Sequence, residues 1–263
     1  MIGQPIIIEN KPGADGIVAA QEAMRGAPDG YTLFLSTASS MSYVPALKRT
    51  PPYDPLADFT PISRVSVFAF LLMVQPTLGV TTLDQFIAYV KSKPGEVSYA
   101  SGSSTAILLM GQLAQANKLQ MTHVPYKGEA ASVADLLGGR VMASFVTPAI
   151  LPQLQKGNLV PLAVLPTRSP LLPDVRTISE LGQPDVNITS WSGLVGPAKM
   201  PTDLVAKINE GFTAVLKKPE IIEHFAKLGQ GATPSSPDEM GTFLRDQLGI
   251  WNKAMRSQGI ELE

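Results

Sequence analysis

Between Val97 and Leu165 the chain repeats one unit, a short strand that opens through a small-residue turn into a helix. Strand Val97–Ala100 leads into the hydroxyl-rich turn ASGSSTA and a helix near Thr105–Ala116. Strand Met121–Val124 passes through PYKGEAA to helix Ala130–Leu137, which Gly138–Gly139 closes as a C-cap. Strand Val141–Val146 leads to a helix ending near Lys156–Gly157, and strand Val160–Leu165 follows. Strands alternating with helices predict an α/β fold, a mostly parallel sheet covered on both faces. In such sheets ligands bind beyond the carboxyl ends of the strands, where loops meet helix N-termini.

The flanks extend this pattern. PIIIE (Pro5–Glu9) reads as a strand, KPGADG as a turn, and Ile17–Met24 as a helix. APDG feeds strand Tyr31–Ser36, and VSVFAFLLMVQ (Val65–Gln75) reads as buried strand. Thr82 caps a helix that carries Phe86, Ile87 and Val90 on one face, and KPG ends it. Beyond the repeat the chain turns helical. Leu204, Ile208, Phe212 and Leu216 share one face of helix Asp203–Leu216. Ser236, Pro237 and Glu239 form a capping box before a stripe of Phe243, Leu244, Leu248, Trp251 and Met255, which must be buried.

Composition then removes whole classes of function. The 21 basic and 22 acidic residues nearly cancel, which leaves no basic field for nucleic acid. No apolar run reaches the roughly 18 residues of a membrane span. Cysteine is absent, so thiolate chemistry, disulfides and cysteine metal sites are excluded. The two histidines, His123 and His224, lie far apart and outside any zinc-enzyme spacing. No metal and no cofactor is expected. MIGQPIIIEN has none of the regions of a signal peptide.

Three strand-to-helix loops could carry binding: Ser36–Ser42 (STASSMS), Ala100–Ala106 (ASGSSTA) and Pro125–Ala131 (PYKGEAA). Each places hydroxyls or small residues at a helix start, where free N–H groups and the dipole favour an anion. Ser and Thr are also common N-caps, so a purely structural role remains open for each loop. Lys127 reads as a catalytic amine, a grip on an anion, or a solvated corner. Its neighbours Gly128 and Glu129 suggest exposure, which argues against a Schiff base. His123, alternating with apolar neighbours, fits a satisfied core histidine better than a base. His224 fits a surface position, and Asp54 and Asp58 fit Asx-turns beside Pro55.

The motifs PIIIENKPGADG, APDGYTLFLSTASS, PPYDPLADFTPIS, KPGEVSYASGSS, THVPYKGEAASVADLLGGRV, LPQLQKGNLVPLAVLPTRSPLLPDVRTISELG and TSWSGLVGPAKMP follow one another in register. With them the chain resembles the substrate-binding proteins of tripartite tricarboxylate transporters, also called Bug receptors, over essentially its whole length. The resemblance implies a two-lobed periplasmic binding protein of type II, a Venus flytrap closing on a small organic acid. Each lobe would be a central, mostly parallel sheet flanked by helices. Lobe one is expected at Met1–Val74 with Gly193–Glu263, and lobe two at Gln75–Ser192, joined by two hinge crossings. It also implies a non-enzymatic periplasmic receptor, acting as a monomer, that delivers a carboxylate to the membrane permease subunits of the transporter. The ligand would be held mainly by backbone amides, hydroxyls and bridging waters.

Carried over by position, the resemblance makes Ser36, Thr37, Ala38, Ser39 and Ser40 the ligand loop of the first lobe. Ser101, Gly102, Ser103, Ser104 and Thr105 become the helix start of the second. Tyr126 and Gly128 line the site, Lys127 tunes its field, and Thr147 sits where its strand opens. Three departures qualify this. Relatives carry a further strand, loop and helix before the equivalent of Gln4, so Met1 is expected to be a truncation or a misassigned start. The Ser101–Thr105 loop is about one residue short, and Ile107–Leu108 stand where relatives often have histidine. Val146 replaces a position that is often polar in relatives. The last two departures predict a less polar cleft and a smaller or more apolar carboxylate.

Three other classes bear on the same residues. A sensor presenting its ligand to a membrane histidine kinase shares the architecture. An enzyme acting on a carboxylate needs a buried acid/base pair, which the sequence does not offer. The effector domain of a transcription regulator needs a helix-turn-helix, and none is present in the chain.

Overall fold

The computed structural model describes residues 5–154, 157–166, 168–169, 171–183 and 190–257. In chain order its main elements are α1 (Ile17–Met24), β1 (Phe34–Thr37), α2 (Val44–Leu47), β2 (Phe59–Phe68), β3 (Phe70–Val74), α3 (Leu83–Ser92), β4 (Ser98–Ser101), α4 (Ser104–Asn117), β5 (Thr122–Pro125), α5 (Glu129–Leu137), β6 (Ala143–Val146), α6 (Leu151–Leu154), β7 (Val160–Leu165), β8 (Ser190–Pro197), α7 (Thr202–Leu216), α8 (Pro219–Lys227), β9 (Gln230–Ala232) and α9 (Pro237–Ser257). They fall into two compact units. One draws on residues 1–67, 190–226 and 230–263, the other on 68–189 and 227–229.

The first unit carries a four-stranded sheet in the order β1-β8-β2-β9. β1 and β8 run antiparallel, Phe34 opposite Val195 and Thr37 opposite Ser192. Ile62, Val65, Leu194, Met200, Val205, Ile208 and Leu216 form a core against this sheet. The capping box on α9 is present: Ser236 N–H donates to Glu239 Oε2 at 2.7 Å and Glu239 N–H to Ser236 Oγ at 3.2 Å. It starts a helix that buries Leu244, Trp251 and Met255. Trp251 meets Tyr43 edge-on, with ring centroids 5.5 Å apart. The helix thereby backs the π-helical turn Ser39–Tyr43 that follows β1.

The second unit has a five-stranded sheet in the order β5-β4-β6-β3-β7. β4 pairs parallel with β5 and β6. β3 runs antiparallel to both β6 and β7, so four strands share one direction and β3 opposes them. α5 covers the sheet with Val133 and Leu136, which join Leu71, Met73, Ala100, Val141, Val146 and Val164 in one core. Thr82 caps α3 by accepting from Gln85 N–H, and Ser103 caps α4 by accepting from Ala106 N–H. The repeat between Val97 and Leu165 is therefore the βα framework of this unit.

Several expectations need correction. Residues 5–9 form no strand: Ile6, Ile7 and Ile8 are 70%, 83% and 82% exposed. A strand exists only through pairing, and no ladder among the described residues takes this segment. The apolar run Val65–Gln75 is two strands interrupted at Ala69. The expected crossings at Val74/Gln75 and Ser192/Gly193 are displaced from the backbone division. β3 pairs only within the second unit's sheet, while Ser192 pairs with Thr37 inside the first unit. Lys156, near which a helix was expected to end, lies outside the described residues.

Candidate functional site

In the second unit the carboxyl ends of β4, β5 and β6 bring their loops together. Tyr126 N–H donates to Ser101 O at 2.9 Å, which ties the end of β5 to that of β4. Gly102 then lies directly on the start of α5. A Cβ at this position would stand 2.4 Å from Glu129 Cα and 2.6 Å from Glu129 N, closer than any side chain tolerates. The first residue after the strand therefore has to be glycine for the N-termini of α4 and α5 to meet.

Ser101 itself is buried, and its Oγ lies 2.6 Å from His123 Nε2. The His123 ring stacks on Tyr99, with centroids 4.9 Å apart. Partial desolvation of the ring lowers the imidazole pKa from its ordinary value. His123 is thus a satisfied histidine, but at an exposed position on β5 rather than in the core. Its partner is one of the expected ligand residues.

Of the other residues expected here, Ser103 is the N-cap of α4 and Ser104 and Thr105 are buried in its first turn. Tyr126 donates its hydroxyl to Asp135 Oδ2 at 2.7 Å, and Arg140 donates to Asp135 Oδ1 at 2.6 Å. Those bonds, Tyr126 first, hold the Asp135 carboxyl below its usual range. The Tyr126 hydroxyl is therefore spent on α5, while its ring packs on the unit's core. Lys127 is exposed, as a solvated turn would have it. Gly128 is the N-cap of α5, with extended backbone and open space where a side chain would stand. Thr147, at the end of β6, is half-buried and caps the short helical turn Pro148–Ile150. Val146, by contrast, is fully buried in the core behind the sheet. It cannot set the polarity of the loop face, which removes one support for a more apolar ligand.

Glu129 takes a part that its local sequence does not announce. Its Oε1 accepts from Thr147 Oγ1 at 2.6 Å and from Thr147 N–H at 2.9 Å. The first residue of α5 is thereby tied to the end of β6, and a fixed negative charge sits among the loops. Nothing in the local pattern pairs residues 129 and 147; only the packing of α5 against β6 brings them together.

In the first unit the loop after β1 is built differently. Ser36 is buried and donates to Gly193 O at 2.8 Å, a bond across the sheet. Ser40 Oγ accepts from Thr37 N–H and donates to Thr37 O, both at 3.2 Å, which closes a tight turn. Ala38 and Ser40 are buried, Thr37 is exposed and Ser39 is half-buried. Tyr53 Oη donates to Ser40 O at 2.6 Å. Burial, with the charge of Asp15 nearby, pushes the Tyr53 phenol well above its ordinary pKa.

The turn expected at KPGADG is present, and positive backbone φ runs through its last four residues. Gly13, Ala14, Asp15 and Gly16 all have positive φ, at 133°, 45°, 53° and 92°. Gly16 abuts Ser40, where an added Cβ would be 3.0 Å from the serine Cβ. The two glycines in PGADG were the available signal, since consecutive left-handed residues demand them.

Comparison with known proteins decides the family. Residues 1–260 match the model of the tripartite tricarboxylate transporter family receptor, TctC. The chain belongs to this receptor family. Protein BugT of Bordetella pertussis is 34% identical over 273 residues, covering 100% of this chain and 82% of BugT. Among solved structures, Rpa4515 of R. palustris with adipate has a TM-score of 0.92 at 31% identity, covering 99% of this chain and 88% of that one. MatC from Rhodopseudomonas palustris with bound malate has a TM-score of 0.86 at 27% identity, covering 96% and 88%.

As a TctC receptor the chain has the two-lobed periplasmic binding protein fold. The family consists of solute-binding receptors, two of which hold dicarboxylates in the structures named above. Among the described residues no group of three or more His, Asp or Glu side chains could hold a metal ion. No described helix is long and apolar enough to cross a membrane.

Proposed function

We propose that this chain is a periplasmic receptor that captures a small organic carboxylate and delivers it, chemically unchanged, to the membrane permease of a tripartite tricarboxylate-type transporter. One observation carries the reading. The second unit gathers the N-termini of α4 and α5 and the end of β6 around Gly102, leaving Gly128 open on its side-chain side. Helix starts of this kind favour anions through N–H groups and dipoles, without a fixed cation. Family members that hold adipate and malate support the class of ligand.

The ligand-binding residues on this reading are Ser101, Gly102, Ser103, Ser104, Thr105, Tyr126, Lys127, Gly128 and Thr147 in the second unit. Ser36, Thr37, Ala38, Ser39 and Ser40 serve the first. Their roles differ. Ser36, Ser101 and Tyr126 are bonded within the protein and shape the loops, whereas the exposure of Lys127 and the open space beside half-buried Gly128 support a ligand contact at these two.

A thermal-shift screen of the full chain against mono-, di- and tricarboxylates tests this, with the corresponding primary amides as controls. Stabilisation by an acid and none by its amide is expected, because a ligand that binds only the native state raises its stability. No shift with any acid, or equal shifts with acid and amide, contradicts it.

A further inference from the structure

The Glu129–Thr147 bond bears on which carboxylates the receptor can accept, and this inference rests on the receptor reading above. Thr147 offers two donors at the end of β6, its backbone N–H and its hydroxyl. Both already point to Glu129 Oε1, at 2.9 and 2.6 Å. A side-chain carboxylate thus occupies donors that a ligand carboxylate would otherwise use. The backbone of Glu129 is fixed as well: Gly102 packs against it, and Ser132 Oγ donates to Glu129 O at 2.9 Å.

We propose that Glu129 is a specificity-determining residue that excludes a ligand carboxylate from the second unit's β6 end and accepts a hydrogen-bond donor there instead. The ligand class is then a carboxylate whose far end carries a hydroxyl or ammonium group, rather than a dicarboxylate. Two arguments lead to this. A ligand carboxylate at Thr147 must displace Glu129 or lie beside it, and two carboxylates sharing a half-buried site disfavour each other's charged forms. A donor meets the opposite situation. An ionised carboxylate has about four acceptor sites, and among the described residues both side-chain bonds to Glu129 go to Oε1. Acceptor capacity is left over for a ligand O–H or N–H, and a hydrogen bond to a charged acceptor is among the stronger kinds.

The alternative is that Glu129 is only a staple between α5 and β6. Charge separates the two roles, since glutamine keeps the acceptor oxygen and loses the charge, while aspartate keeps the charge. The experiment is titration calorimetry on the full chain and its Glu129→Gln and Glu129→Asp variants. The probes are two matched sets: succinate, 4-hydroxybutyrate and 4-aminobutyrate; adipate, 6-hydroxyhexanoate and 6-aminohexanoate.

The wild type is expected to prefer a donor-ended member of at least one set over its dicarboxylate by about tenfold or more. In Glu129→Gln that preference should fall to within about twofold or invert, and in Glu129→Asp it should persist. A lead for the amine over the alcohol identifies an ion pair as the contact; equal binding identifies a hydrogen bond. A wild type that prefers the dicarboxylates, or a ratio unchanged in Glu129→Gln, overturns this inference and leaves the receptor reading standing. If neither wild type nor variants bind any of the six probes, the receptor reading falls and this inference falls with it.

Discussion

Gly102 sits so close to Glu129 that a methyl group on its Cα would stand 2.4 Å from the glutamate Cα. The contact is backbone against backbone, so neither partner can rotate out of the way. Gly102→Ala is expected to force the α4 loop away from the start of α5. Overpacking of this kind costs about 1–3 kcal/mol, read as a lower midpoint in urea unfolding. Ligand affinity should fall by more than the stability loss explains, because the displaced loops are the ones proposed to bind. A variant with unchanged stability and affinity would show that the loops are not held together by this contact.

The Ser101–His123 pair predicts a pH dependence. Partial desolvation lowers the folded-state pKa of His123 below its ordinary value, although the residue stays exposed. The unfolded chain therefore binds this proton more readily than the folded one. The contribution is absent at high pH, where both states are neutral. Stability is lost as pH falls from the ordinary histidine range through the lowered folded value. His123→Phe keeps a ring against Tyr99 and removes the titration. The difference in unfolding midpoint between wild type and variant should grow more favourable to the variant from pH 7.5 to pH 5. A pH-independent difference would mean that the imidazole is not held neutral.

Lys127 is exposed at the turn before α5. On the receptor account it contributes through its field alone. Lys127→Ala should weaken carboxylate binding by less than about tenfold, with an effect that shrinks as salt rises. Borohydride should trap no adduct between the wild-type chain and keto acids. Trapping at Lys127 would restore the catalytic amine.

Where the controlling signal was local, the sequence predicted the fold well. The Thr82 cap, the Ser236–Glu239 box and the Asx-turn at Asp54, which accepts from Leu56 and Ala57 N–H, all depend on residues within four positions. The alternating units between Val97 and Leu165 likewise carry their own periodicity. PIIIE failed because β-propensity does not supply a pairing partner, and the place of β3 failed because sheet order is a long-range property. Candidate-site residues divide the same way. Ser103 and Gly128 are helix caps and could be read in place. Glu129 became visible only when α5 was packed on β6, and the approach of Gly16 in the KPGADG turn to Ser40 only when the two loops were set together. Val146 misled because β6 is buried along its whole length, so even the residue at its carboxyl end joins the core.

The most direct test of the central claim is calorimetry of the full chain with the carboxylate that gives the largest thermal shift, followed by NMR of the recovered ligand. The account predicts saturable binding of one molecule per chain and a ligand recovered unchanged after prolonged incubation. No saturable heat with any carboxylate, or conversion of the ligand into a product, would contradict it.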